Sequence, residues 1–310
     1  MHLLTLNPIA GDRPSVVTIG NFDGLHLGHQ QLLAEVQAQA QQLNEASAVV
    51  LFEPQPLEFL YPEKAPPRLM RLGEKLAGLR RLGIHRVGLA RFDAQFAALT
   101  PLQFVQTVLL DKLDCCSVWV GDDFRFGLKR QGDFETLRVF GQELGFQVAQ
   151  TPTYELNGRR LASTWLRETL SQADLDQAAR ILGQRYQVTA RVLHGQKLGR
   201  TIGFPTLNLL FKYAPALTGV FIVQVHGLSA HPLWGVANVG KRPTVDGQQH
   251  RLEVHVLDWQ GDAYGKSLTV EFFHQLRQEQ KFASIEQLMI QIQQDVVYAR
   301  AWIEQQFLLN

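Results

Sequence analysis

The segment Ser15-Val16-Val17-Thr18-Ile19 is apolar on both faces. It passes through Gly20-Asn21-Phe22-Asp23-Gly24-Leu25-His26-Leu27-Gly28-His29 directly into Gln30-Gln31-Leu32-Leu33-Ala34-Glu35-Val36. A strand without apolar/polar alternation is buried on both sides, which is the state of a strand in a parallel sheet covered by helices. The segment after the turn has helical spacing. The unit is therefore strand, glycine-rich turn, helix, and it constrains the chain to an α/β architecture. Glycines in the turn let a ligand approach the backbone closely. The unpaired N–H groups and the positive dipole end of the following helix attract phosphate. Two imidazoles three residues apart can hydrogen-bond phosphate oxygens and stabilise charge in a transition state. Two other readings stand beside this one: surface histidines in a turn, or a His-x-x-His zinc pair. No Cys or Glu lies at a zinc spacing nearby, and a strand-to-helix turn suits phosphate better.

The same alternation runs through the first half of the chain. Ser47 to Phe52, His85 to Phe92, Ser117 to Val120 and Phe146 to Ala149 read as further strands. Glu74 to Leu82 and Asp133 to Leu144 read as helices, and Thr100-Pro101-Leu102-Gln103 carries the marks of a helix start, a Thr cap with Pro at the first position and Gln three on. Such a pattern predicts a parallel sheet with helices on both faces, whose ligands bind at the carboxyl ends of the strands. Asn21 to His29, Glu53 to Pro56 and Asp122 to Gly127 all fall on that edge.

The pattern changes near Gly183. Two short helices, Thr164 to Leu170 and Leu175 to Leu182, precede the change, and strand-like runs follow: Tyr186 to Leu193, Gly219 to Val225, Leu233 to Val239, Arg251 to Leu257 and Ser267 to Phe273. Several alternate apolar and polar residues, which predicts a small antiparallel barrel or sandwich. The segment Ser284 to Phe307 opens with Ser284 and Gln287 as a capping box. Its stripe of Ile285, Leu288, Met289, Ile292, Val296, Ala299 and Ile303 predicts a helix packed on the barrel. We expect two domains, residues 1–183 and 184–310.

Within the second half, Lys197-Leu198-Gly199-Arg200-Thr201-Ile202-Gly203-Phe204-Pro205-Thr206-Leu207-Asn208 concentrates glycines, cations, hydroxyls and an amide. Glycine backbone with Lys or Arg suits phosphate, and Thr and Asn oxygens suit Mg²⁺. Glu253 lies in an alternating run with Val254 and Val256. It is either a solvated outward residue or, if it faces a cleft, a base able to take a proton from a hydroxyl. Gly265-Lys266-Ser267 is not a P-loop, because the first glycine of that motif would stand at 260, which is Gln260.

A net charge of +1 gives no reason to expect nucleic acid as a partner. The only two cysteines, Cys115 and Cys116, are adjacent, which suits buried thiols in a reducing compartment rather than a structural bridge. The first residues lack the charged start and long apolar core of a signal peptide, and no run approaches the length of a spanning helix. The expectation is a cytoplasmic protein without membrane contact.

GNFDGLHLGH resembles the HxGH signature of the nucleotidylyltransferase superfamily. Together with VGDDFRFG, STWLR, GRTIGFPTLN, GVANVGKRPT and LEVHVLD, in that order between residues 20 and 258, it resembles the bacterial bifunctional riboflavin kinase/FMN adenylyltransferases, also called FAD synthetases. The resemblance implies an N-terminal Rossmann-like nucleotidylyltransferase domain with a parallel sheet and a C-terminal six-stranded antiparallel β-barrel with a terminal helix. It implies that the first makes FAD from FMN and ATP, the second makes FMN from riboflavin and ATP, and both use Mg²⁺. By the same resemblance His26 and His29 contact the triphosphate, with Gly20, Asn21 and Asp23 in the same motif. Asp123 stands where many relatives carry Asn. Arg160, Ser163, Thr164 and Arg167 match a second phosphate motif, in which Ala162 replaces a serine. Gly199 and Arg200, in the GRTIGFPTLN motif, are phosphate-binding candidates on the chemistry of glycine backbone and cation. Thr206 and Asn208 match residues that help hold Mg²⁺, with Leu207 replacing an alanine, and Glu253 matches the general base. Rival readings are a transferase for another small phosphate, a flavin- and nucleotide-binding regulator without turnover, and a nucleic-acid-binding module.

Overall fold

Five parallel strands and one antiparallel edge strand form the first sheet, in the order β1-β4-β3-β2-β5-β6. The strands are β1 (His2–Thr5), β2 (Ser15–Ile19), β3 (Ala46–Glu53), β4 (Arg86–Arg91), β5 (Cys115–Val120) and β6 (Gln147–Gln150). The computed structural model describes residues 1–7, 13–193, 203–211, 215–244 and 247–308. The chain divides into two units, Met1–Pro66 with Met70–Ser163 and Pro67–Leu69 with Thr164–Asn310.

In the first unit both faces of the sheet are covered, as the unalternating strands require. On β3, Ala48 and Val50 pack with Val17, Val118 and Leu109, whereas Val49 and Leu51 pack with Leu33, Leu79 and Val87. Leu33 comes from α1 (Leu27–Leu43) and Leu79 from the helix Leu72–Arg81. The parallel strands lie in the order 4-3-2-5-6. From β2 the chain runs outward through β3 to β4 on one side, then crosses back to β5 and β6 on the other, so the strand order reverses and a crevice opens at the carboxyl ends of β2 and β5. The capping box at Thr100 and Gln103 forms in both directions, at 3.2 and 2.9 Å. The strand β1 is absent from the sequence pattern because it is short, lies at the edge and leaves Leu3 exposed.

At the amino ends of β3 and β4 the backbone N–H of Ser47 donates to Nδ1 of His85 at 3.1 Å, and Ser47 Oγ lies 2.8 Å from the same atom. A proton on that nitrogen would oppose the N–H. Burial and the neighbouring Arg86 charge hold the imidazole below its ordinary value of 6.5. The unfolded chain takes up the proton near that value and the folded chain does not. Stability is therefore full above it and falls as pH drops through it towards the lower folded value. The denaturation midpoint is expected to fall between about pH 7.5 and about pH 5.5 by more in the parent than in His85→Asn, measured by urea titration.

The second unit is a closed barrel in the order β10-β13-β12-β11-β14-β9, returning to β10. Its strands are β9 (Gln187–Leu193), β10 (Leu207–Phe211), β11 (Gly219–His226), β12 (Leu233–Thr244), β13 (Gly247–Val256) and β14 (Ser267–Arg277), all paired antiparallel. Inward positions follow the period of two: Val188, Ala190 and Val192 on β9, and Leu252, Val254 and Val256 on β13, are buried. Strand-like runs, several of them alternating, reveal five of these strands; β11 is buried on both faces over its first five residues. The sixth, β10, is hidden because Leu209, Leu210 and Phe211 break the pattern and because its start belongs to the loop rich in polar groups. The short hairpin of β7 (Glu155–Leu156) and β8 (Arg159–Arg160) belongs to the first unit.

The terminal helix Ile285–Leu308 packs on the barrel, but not evenly along its length. Val296, Ala299 and Ile303 join Val220, Ile222, Val236 and Leu257 in one cluster. Ile285 is 53 % exposed and Met289 37 %, so the expected stripe is not buried along its whole length. Helical periodicity identifies the apolar face; it does not say how far the barrel extends beneath it. The helix is pinned by Asp295, 5 % exposed, whose carboxylate accepts from Arg277 at 2.8, 3.0 and 3.1 Å and from Gln291 at 3.0 Å. Removing one member of a buried pair strands the other charge. Asp295→Ala is expected to cost about 3–5 kcal/mol in urea unfolding of this unit.

Candidate active sites

The glycine-rich turn leaves β2 at Gly20, whose N–H donates to Val50 O at 3.2 Å. It then takes a left-handed path, with φ of +47° at Phe22, +94° at Gly24 and +44° at Leu25. Helix α1 begins at Leu27, three residues earlier than the helical spacing predicts, because His26 itself is the N-cap. His26 Nδ1 accepts from the N–H of His29 at 3.3 Å. That acceptance puts the ring proton of neutral His26 on Nε2, as a donor. The two imidazoles stack with centroids 3.7 Å apart, and Phe22 lies 5.0 Å from the His29 ring. Gly28 permits the stack: a Cβ there would lie 3.3 Å from His26 Nδ1 and 3.1 Å from Leu161 Cβ.

The carboxylate of Asp23 does not open to solvent. It is 2 % exposed, 3.6 Å from the ammonium of Lys75, and accepts from Met70 N at 3.1 Å. Lys75, 3 % exposed, also donates to Asn21 O at 2.8 Å, and Ser163 Oγ donates to Asp23 O at 2.8 Å. Asn21 Oδ1 is buried with no hydrogen-bond partner among the described residues. Gly20, Asn21, Asp23, His26, His29 and Ser163 thus come together at one turn. The sequence motifs do not single out Lys75. The available signal is a lysine on the apolar stripe Leu72, Leu76, Leu79 of its helix, where a cation needs a buried partner.

At the end of β5, Arg160 of β8 reaches Asp122 at 2.7 Å and Asp123 at 3.3 Å, and Thr153 donates to Asp122 at 3.1 Å. Desolvation pushes the Asp122 carboxyl upward, but the Thr153 hydrogen bond and the Arg160 charge outweigh it and hold the group below the usual carboxylate range. Arg160 is the centre of an acidic pair here, with its side chain 45 % exposed. Thr164 and Arg167 fall in the second unit, where Arg167 Nε donates to Pro67 O at 2.7 Å.

The second unit carries a different constellation. On β13 Glu253 lies opposite Asn208 of β10 on one side and Asn238 of β12 on the other. Leu252 and Val254 point into the barrel, so Glu253 and its cross-strand neighbours Asn208 and Asn238 lie on the outer face. Thr206 precedes Asn208 by two residues and shares that face in extended chain, while Leu207 pairs with buried Val254. Arg251 stands 3.9 Å from Glu253. His255 Nδ1 donates to Pro205 O at 2.9 Å, which fastens the approach to Thr206. Beside this row is a cavity of about 440 Å³ lined by Thr206, Leu207, Val256, Trp259, Asp262 and Tyr264 among others, a size that accepts a small molecule. Asn238 and His255 are not marked by the sequence alone, because a partner across a strand pair, 15 residues away for Asn238 and Glu253 and 50 for His255 and Pro205, leaves no local trace. Gly199 and Arg200 lie outside the described residues.

Among the described residues no group of three or more His, Cys, Asp or Glu side chains could hold a metal ion. The oxygens of Thr206 and Asn208 beside Glu253 nonetheless fit Mg²⁺, which keeps several waters and is held largely by substrate phosphates.

The family model described as FAD synthetase matches residues 9–165, and that described as riboflavin kinase matches residues 182–303. The chain is 45 % identical over 301 residues to the bifunctional riboflavin kinase/FMN adenylyltransferase of Escherichia coli K12, covering 97 % of this chain and 95 % of that one. It is 47 % identical over 292 residues to the protein of that name from Pseudomonas fluorescens, covering 93 % of each. A crystal structure described as a macrolide-efflux protein from Streptococcus pneumoniae superimposes with a TM-score of 0.78 at 30 % identity, over 96 % of this chain and 97 % of that one. No helix among the described residues is long and apolar enough to cross a membrane.

Proposed function

Because this chain belongs to the bifunctional riboflavin kinase/FMN adenylyltransferases, we propose that its two reactions run at the two constellations described above. The chain phosphorylates riboflavin with ATP to FMN and adenylylates FMN with ATP to FAD and pyrophosphate. On this reading residues 1–183 form the adenylyltransferase domain and residues 184–310 the kinase domain. The observation that supports two separate sites is the register that sets Glu253 directly between Asn208 and Asn238, in a unit that does not contain the histidine turn.

In the kinase half, Glu253 takes the proton from the terminal ribityl hydroxyl as that oxygen attacks the γ-phosphorus of ATP. Thr206 and Asn208 hold Mg²⁺, which supplies neutralisation of the phosphate charge when bound. In the transferase half, an oxygen of the FMN phosphate attacks the α-phosphorus of ATP and pyrophosphate leaves. A phosphate is already ionised at neutral pH, so this step needs no general base. His26 and His29, with Asn21, Asp123, Arg160 and Ser163, bind the phosphates and stabilise the charge in flight. No lysine stands in the motif at residues 21–24, and the Lys75 ammonium is committed to Asn21 and Asp23, so nothing at this turn suggests a lysyl-adenylate route. Cytoplasmic action fits the free thiols of Cys115 and Cys116.

Purified chain incubated with riboflavin, ATP and Mg²⁺ is expected to yield FMN and then FAD, separated by chromatography. Retained flavin with no conversion would instead favour a regulator without turnover.

A further inference from the structure

The helix Leu72–Arg81 carries no residue assigned to either reaction, yet it meets the histidine turn at two points. Lys75 donates to Asn21 O at 2.8 Å and pairs with Asp23 at 3.6 Å. Gly78, one helical turn on, is the seat of Leu25: a Cβ at Gly78 would lie 2.4 Å from Leu25 Cδ1. Lys75 thus grips the strand side of the turn and Gly78 receives the residue that immediately precedes His26. Between these two points, Phe22 and Leu25 sit at φ of +47° and +44°, a region that side-chain-bearing residues rarely adopt. Such a backbone persists only where its surroundings hold it. The two stacked imidazoles are attached directly to its end.

We propose that Lys75 and Gly78 are positioning residues for adenylyl transfer. Acting through Asn21, Asp23 and Leu25, they hold the turn in the one path that aims His26 and His29 together at the transferring phosphate. This rests on the assignment of the histidine turn to the transferase reaction. Neither residue has a part in the phosphoryl transfer of the second unit. A displacement of about 1 Å in catalytic groups can cost on the order of 10²-fold in rate.

The test measures FAD formation from FMN and ATP, FMN formation from riboflavin and ATP, and the thermal midpoint, on the full chain and on Lys75→Met, Lys75→Arg and Gly78→Ala. Lys75→Met is expected to lower kcat for FAD formation about 10²-fold with a much smaller change in KM for ATP, while FMN formation stays at the parent rate. Lys75→Arg, which keeps the cation, should recover part of the loss. Gly78→Ala should lower kcat about 10-fold while its midpoint moves little, because the better helix propensity of alanine offsets much of the overpacking against Leu25. That separation is what a merely structural role would not produce. Should Lys75→Met fail to fold, Gly78→Ala decides. Parent-like kcat for FAD in Gly78→Ala, or equal loss of FMN formation in a folded Lys75→Met, overturns the proposal alone. A parent chain that makes FMN but no FAD overturns the transferase assignment and the proposal together.

Discussion

Replacing His29 with alanine is expected to lower FAD formation by about 10²–10³-fold and to leave FMN formation at the parent rate. The size follows from the loss of one preorganised group aimed at a phosphate whose charge is redistributing in the transition state. The selectivity follows from placement: His29 stands on α1, stacked at 3.7 Å on a His26 ring that caps the same helix. Alanine at 29 keeps the backbone N–H that His26 accepts, so the cap survives and the helix start is retained. The loss should appear in kcat more than in KM for ATP, because a group that acts on developing charge contributes mainly at the transition state. The measurement is steady-state FAD formation from supplied FMN, beside FMN formation from riboflavin. Equal loss of both activities would argue against two separate sites.

Glu253→Gln is expected to do the converse, lowering riboflavin phosphorylation by about 10²–10⁴-fold, the range of a general base, with FAD formation from supplied FMN unchanged. The amide keeps the size of the side chain and its place opposite Asn208 and Asn238, but it cannot take a proton. A hydroxyl must lose its proton to become a good nucleophile, whereas the FMN phosphate need not, so only the kinase step contains this requirement. Glu253→Gln that phosphorylates riboflavin at the parent rate would sink the role.

Both predictions rest on residues visible in the sequence, and their legibility has a local cause. A strand without alternation, a turn that needs glycine and a helix start are all written within some twenty residues, and so the histidine turn was readable before any tertiary contact. The barrel is readable in five strand-like runs, several of which carry the period of two that burial on one face imposes, while β11 is apolar over its first five residues because the terminal helix covers its outer face. Where the apolar pattern breaks, as at Leu209-Leu210-Phe211 in β10, or where a strand is short and exposed, as at His2–Thr5, the element went unread. The first half of the terminal helix is the opposite case, an apolar stripe whose sequence is clear but whose neighbours are not there to bury Ile285 and Met289.

The chain's order of motifs was enough to determine the family, the fold of each half and the chemistry each half carries, since these depend on residue types at fixed short spacings. Only the tertiary structure decided that Asp23 is a buried partner of Lys75, that His26 caps α1, that Arg160 is shared by Asp122 and Asp123, and that Glu253 stands between two asparagines. Some of these depend on pairing between segments that sequence separation does not relate: Lys75 lies 52 residues from Asp23, and Glu253 lies 45 from Asn208. The His26 cap depends on the backbone angles of a single turn. Burial and hydrogen bonding set such choices once the chain has closed on itself, and no period in the sequence records them.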